Sequence, residues 1–113
     1  MTGASKRKGD RAELEAAALI YNLLGINCQR KLGAGRREDT GDIHGIPDTV
    51  IQVCSRNTDI VSVGVVNKPL EAGQQARNAN VTHAATFLRI RGGTWRVILT
   101  PDQWATLWRE ATP

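Results

Sequence analysis

The chain has 113 residues, 41% of them hydrophobic, and a net charge of +4 from fifteen Lys and Arg against eleven Asp and Glu. That length fits one domain with one core, and the composition is ordinary for a globular protein, which argues against a disordered or fibrous chain. No apolar run approaches the roughly 18 residues needed to cross a bilayer. The polar stretch Met1 to Asp10 lacks the apolar segment of a signal peptide, so a cytoplasmic location without a membrane partner is expected. The two cysteines, Cys28 and Cys54, make neither a disulfide framework nor a zinc motif, and are expected as reduced, buried thiols.

Residues 1–9 read as a flexible basic arm and residues 10–113 as a single domain. Asp10 is a good N-cap for a helix that runs to Leu24 and stops at Gly25; the run Ala12 to Ile20 favours helix on propensity. Ile26 to Lys31 reads as a strand, and Leu32 to Thr40 as a loop rich in glycine and charge. Gly41 to Gly45 is a short second strand. Ile46-Pro47-Asp48-Thr49 is a turn, and Val50 to Cys54 is a third strand rich in β-branched residues. Ser55 to Val66 is open between an extended segment and a loop packed on the core.

Lys68 to Asn80 reads as a second helix with Pro69 in its first turn. Ala84 to Ile90 and Thr94 to Leu99 are strands joined at Arg91-Gly92-Gly93 as a hairpin. Thr100, Pro101 and Gln103 stand in the order of a capping box, followed by a last helix predicted to bury Trp104, Leu107 and Trp108 on one face. The order helix, three strands, helix, two strands, helix predicts an α/β fold, a small mixed sheet flanked by helices.

The charge is unevenly spread. Residues 1–37 hold eight of the fifteen basic groups, Lys6, Arg7, Lys8, Arg11, Arg30, Lys31, Arg36 and Arg37, against Asp10, Glu13 and Glu15. Such clustering suits a polyanion, because each cation near a phosphate releases condensed counterions. The Leu32-Gly33-Ala34-Gly35 segment has no phosphate-loop spacing, but beside these cations it allows close approach to a phosphate chain.

Glu13 falls in the apolar stripe of the first helix, near Ala17, Ile20 and Leu24 on the helical wheel. A carboxylate there is costly to bury unless it is paired or binds a metal. Glu15 reads as an ordinary solvated acid. Alternation puts Asp42 and His44 on one face of the second strand, and Gln52 and Cys54 on one face of the third. If those strands pair, Asp42 can approach Gln52 and Cys54. Two carboxylates and an amide oxygen are the donors that hard divalent cations take, whereas Cys is a poor magnesium ligand. Asp48 reads as a turn residue, and His44 and His83 as structural or surface histidines.

Lys8-Gly9, Glu13, the helix ending near Gly25, Arg30, the glycine loop, Gly41-Asp42-Ile43 and the Val50-to-Cys54 strand together resemble the archaeal and phage Holliday junction resolvases of the PD-(D/E)xK nuclease superfamily. Phage-encoded members look closest, including their Trp-Arg-Val strand near the C-terminus. The resemblance implies a restriction-endonuclease-like core in αβββαββα order. It also implies metal-dependent phosphodiester hydrolysis of branched or double-stranded DNA with Mg2+ or Mn2+, a homodimer, and a location in the host cytoplasm. By the resemblance the catalytic positions are Glu13, Asp42, Gln52 and Cys54, with Glu13, Asp42 and Gln52 at the metal. DNA contacts fall to Lys6, Arg7, Lys8, Arg30, Lys31, Arg36 and Arg37.

Gln52 stands where the family carries its second acid, and Cys54 where it carries a lysine that stabilises transition-state charge. Arg56 and Lys68 are the candidates to replace that lysine. The departures leave two further expectations: a catalytically silent nuclease-fold protein that binds DNA or a protein partner, and a phage assembly protein that reuses the fold.

Overall fold

The computed structural model describes residues 3–30, 41–55 and 62–112, with side chains described from Arg11 onward in the first segment and from Gly64 onward in the third. Helix α1 spans Gly3–Leu24 and therefore begins at Gly3 rather than at Asp10. Gly25 ends it at φ 71°, a left-handed value that glycine adopts without steric cost, and its N–H donates to Tyr21 O at 2.8 Å. Ala12, Ala16 and Ile20, four residues apart, are buried among the described side chains of this helix, and the two alanines let it lie close on the sheet.

Strands β1 (Gln29–Arg30), β2 (Ile43–His44), β3 (Thr49–Ser55), β4 (His83–Ile90) and β5 (Thr94–Ile98) form one five-stranded mixed sheet in that spatial order. Among the described residues the first two strands are shorter than their sequence suggests: Cys28 N–H turns back to Ile26 O, and the described pairing of β1 with β2 is through Gln29 and Arg30. Neighbours are antiparallel except β3 and β4, which run parallel from Thr49 opposite His83 to Ser55 opposite Arg89. Parallel neighbours need a long crossover. Here it includes α2 (Ser62–Val66) and α3 (Lys68–Ala79), so the segment read as extended or loop ends in a short helix. Asn80 closes α3 in the left-handed conformation at φ 57°.

Helices cover both faces of the sheet. On one side Ala12, Ala16 and Ile20 of α1 pack with Cys28, Ile43, Ile51 and Val53; on the other, Val50 packs with Ala72 and Ala76 of α3 and with Ala84. Strand β3 is thus covered on both faces, which is why it reads as a continuous apolar run rather than an alternating one.

Helix α4 spans Pro101–Ala111 and carries the predicted capping box, with Thr100 accepting from Gln103 N–H and the Gln103 side chain accepting from Thr100 N–H. Its apolar face is not buried as predicted: Trp104, Leu107 and Trp108 are 56%, 41% and 52% exposed. The reason is the rotation of the helix. Gln103 serves the cap and also donates to Pro69 O at 2.8 Å, which fixes α4 against α3 with Gln103, Ala105 and Thr106 on its more covered positions and turns the tryptophans outward.

Candidate functional site

Asp42 lies one residue before β2, and its N–H still donates to Ile51 O at 2.9 Å. The Asp42 carboxylate also accepts Val53 N–H, at 2.8 Å. Gly41, just before it, lies close against β3. Its φ is 95°, and a Cβ there would stand 2.7 Å from Val50 Cγ1, so only glycine fits.

Glu13 approaches the same strands from the α1 side. Its Oε1 accepts from Arg30 Nε at 3.2 Å, and Arg30 stands opposite Ile43, the neighbour of Asp42, in the β1–β2 register. The acid in the apolar stripe is therefore paired. Glu15, read as solvated, is also paired, accepting from Arg89 Nε on β4 at 2.7 Å. The two glutamates tie α1 to β1 at one edge of the sheet and to β4 further across it. Sequence reasoning missed the second pair because Glu15 and Arg89 are 74 residues apart and neither carries a local signal.

Gln52 and Cys54 share a face of β3, as alternation predicts, and that face is the one under α2 and α3. Gln52 is buried, and its Oε1 accepts the side-chain amide of Gln75 in α3. Thr86, its register partner on β4, is fully buried beside it. Cys54 is buried too: a Cβ added at Gly64 of α2 would stand 3.4 Å from its Sγ and 3.0 Å from Leu88 Cδ1, so the helix sits tightly on the thiol. Glu13 and Gln52 consequently face opposite sides of the sheet. Of the three predicted metal donors, Glu13 and Asp42 offer the hard carboxylate oxygens that magnesium or manganese takes. Gln52 does not fit such a site: it is a neutral amide buried under α3, on the face of the sheet away from Glu13.

Among the other predicted positions, Lys68 pairs with Glu71 at 3.4 Å on α3. The side chains of Lys6, Arg7 and Lys8, and the whole of Lys31, Arg36, Arg37 and Arg56, lie outside the described residues. Cys28 is buried on the α1 side, where its Sγ donates to Ala17 O at 3.8 Å and burial pushes its thiol pKa up.

Asp48 does occupy its predicted turn, at φ 53°. The Thr82 side chain and backbone amide hold its carboxyl below the usual carboxylate range. Through that turn Asp48 meets His83 and Glu110, a grouping that sequence spacing gave no reason to expect. No family model matches the chain, and no similar curated protein or solved structure was found.

Proposed function

We propose that this chain is a nuclease-fold protein of the Holliday junction resolvase type, which acts on branched or duplex DNA by metal-dependent phosphodiester hydrolysis. The observation that carries the reading is the Asp42 carboxylate, held on the Val53 amide of β3 just before β2 begins. An acid fixed on β3 beside β2, with a helix glutamate reaching the β1–β2 pair, matches what the resemblance implies for Asp42 and Glu13. The order of helix, three strands, crossover helices and two strands, with β3 and β4 parallel, supports a restriction-endonuclease-like core. Mg2+ or Mn2+ held by Asp42 and Glu13 would activate water and stabilise the leaving oxygen. A homodimer belongs to the same reading, because a symmetric cut across a junction needs two sites.

The burial of Gln52 and Cys54 favours a second reading, in which the fold binds DNA without cutting it. Neither side chain supplies the charge of the acid and lysine that the resemblance places there, and both are engaged with α2 and α3.

One experiment separates the two. The protein is incubated with four-way-junction and linear duplex DNA in Mg2+ or Mn2+, beside Asp42→Ala and Glu13→Ala. The first reading expects junction cleavage that both variants lose. Cleavage that persists in both overturns the assigned acids. Binding without cleavage supports the second reading, and neither binding nor cleavage leaves a protein-interaction or phage assembly role.

A further inference from the structure

We propose that Asp48, His83 and Glu110 form a binding site for a divalent transition-metal ion, zinc first, separate from the Asp42 site. One ligand atom from each residue lies within 4.8 Å of the other two. The three come from different elements: the β2–β3 turn, the first residue of β4 and the last turn of α4. Their convergence is built by the fold rather than by neighbours in sequence.

Asp48 is fixed in three ways. Its backbone is left-handed at φ 53°. Its carbonyl accepts His83 N–H at 3.0 Å, and its Oδ1 accepts Thr82 N–H at 2.8 Å. The parallel register, Thr49 opposite His83, keeps turn and strand together. His83 is the least exposed of the three, its side chain 11% accessible, and its Nε2 meets Glu110 Oε2 at 2.6 Å. The His83 Nδ1 is buried, with no hydrogen-bond partner among the described residues.

One imidazole nitrogen and two carboxylate oxygens make a borderline donor set, which suits zinc better than magnesium. The two carboxylates also bring negative charge that a divalent cation neutralises. Zinc takes such donors at about 2.0–2.2 Å in a tetrahedron, which sets ligand atoms roughly 3.3 Å apart, so His83 Nε2 and Glu110 Oε2, now at 2.6 Å, must open to admit it. Glu110 can supply that movement because its side chain is 61% exposed at the end of a helix. On binding, the ion takes the place of the His83 Nε2–Glu110 hydrogen bond, and the ring binds it with its own hydrogen on Nδ1. Three protein ligands leave a fourth position for water. The bound ion clamps the C-terminal end of α4 to the sheet.

The test uses the full chain and zinc chloride, with calorimetry for stoichiometry and NMR for the imidazole nitrogens. One zinc per chain is expected at this site, with His83 Nε2 shifting on coordination and His44 unmoved. Asp48→Asn and Glu110→Gln keep the size of exposed side chains and should leave the fold intact. Each is expected to weaken zinc by at least the roughly 10–100-fold seen for loss of an outer-shell partner, and His83→Ala to abolish the site. Glu13→Gln with Asp42→Asn is expected to leave it unchanged, so its outcome is independent of the nuclease reading. An unmoved His83 resonance, or zinc affinity unaltered in both Asp48→Asn and Glu110→Gln, overturns the proposal.

Discussion

A carboxylate that completes a backbone ladder has a structural task besides any chemical one, and Asp42 shows how to separate the two. Its oxygen satisfies the Val53 amide in a part-buried position. Asp42→Ala removes that acceptor and should cost about 1–3 kcal/mol of stability, the usual penalty for a stranded donor. Asp42→Asn keeps an acceptor oxygen while removing the charge, and should cost clearly less. Urea unfolding of the two variants checks this, and equal losses would mean that the Val53 bond contributes little. The pair also serves the DNA assay: activity lost in the more stable Asn variant cannot be blamed on unfolding. At this scale the sequence was legible in part. The parity of Gln52 and Cys54, and the anomaly of an acid in the apolar stripe of α1, could be read directly. Which helix covers which face could not, because β3 is apolar on both sides. Only the tertiary packing turns Gln52 toward Gln75 and leaves Glu13 across the sheet beside Arg30.

Helix α4 makes the same point for whole elements. Its start was legible because a capping box is local chemistry: Thr100 and Gln103 exchange hydrogen bonds across three residues. Its helical wheel correctly groups Trp104 and Trp108, whose ring centroids lie 6.4 Å apart. A wheel, however, does not say whether a neighbour covers the stripe. Gln103 decides that by anchoring to Pro69 O. Helix α2 was hidden for a different reason, since Ser62-Val63-Gly64-Val65-Val66 combines β-branched residues with a glycine and has weak helix propensity. Thr100→Ala should cost about 0.5–2 kcal/mol, the usual loss for an N-cap. Gln103→Ala should cost more than a cap alone, because it also frees α4 from α3. Thermal melts followed by tryptophan fluorescence report both changes, as α4 carries two of the three tryptophans. A Gln103→Ala loss smaller than that of Thr100→Ala would refute the anchoring role.

For the molecule as a whole, the distribution of charge matters more than its sum. A net +4 on 113 residues is modest, yet eight of the cations fall in the first 37 residues, and two of the acids there are committed: Glu13 to Arg30 and Glu15 to Arg89. Arg30 shares its charge with Glu13, whereas Arg36 and Arg37 flank the glycine loop. If DNA is the ligand, affinity must fall as salt rises, because each phosphate contact releases counterions. For duplex DNA the slope of log affinity against log salt is about −0.9 per contact. Replacing Arg36 and Arg37 together by Ala should flatten that slope by about 1.8, the sum for two contacts, and weaken binding similarly across DNA sequences, since phosphates carry no base information. Arg30→Ala should change the slope by less, because its guanidinium is already engaged by a carboxylate. Fluorescence anisotropy with a labelled four-way junction, at several salt concentrations, measures these slopes. A slope unchanged in the double variant would remove Arg36 and Arg37 from the DNA contacts and leave Lys6, Arg7, Lys8, Arg30 and Lys31 as the basic positions to test next.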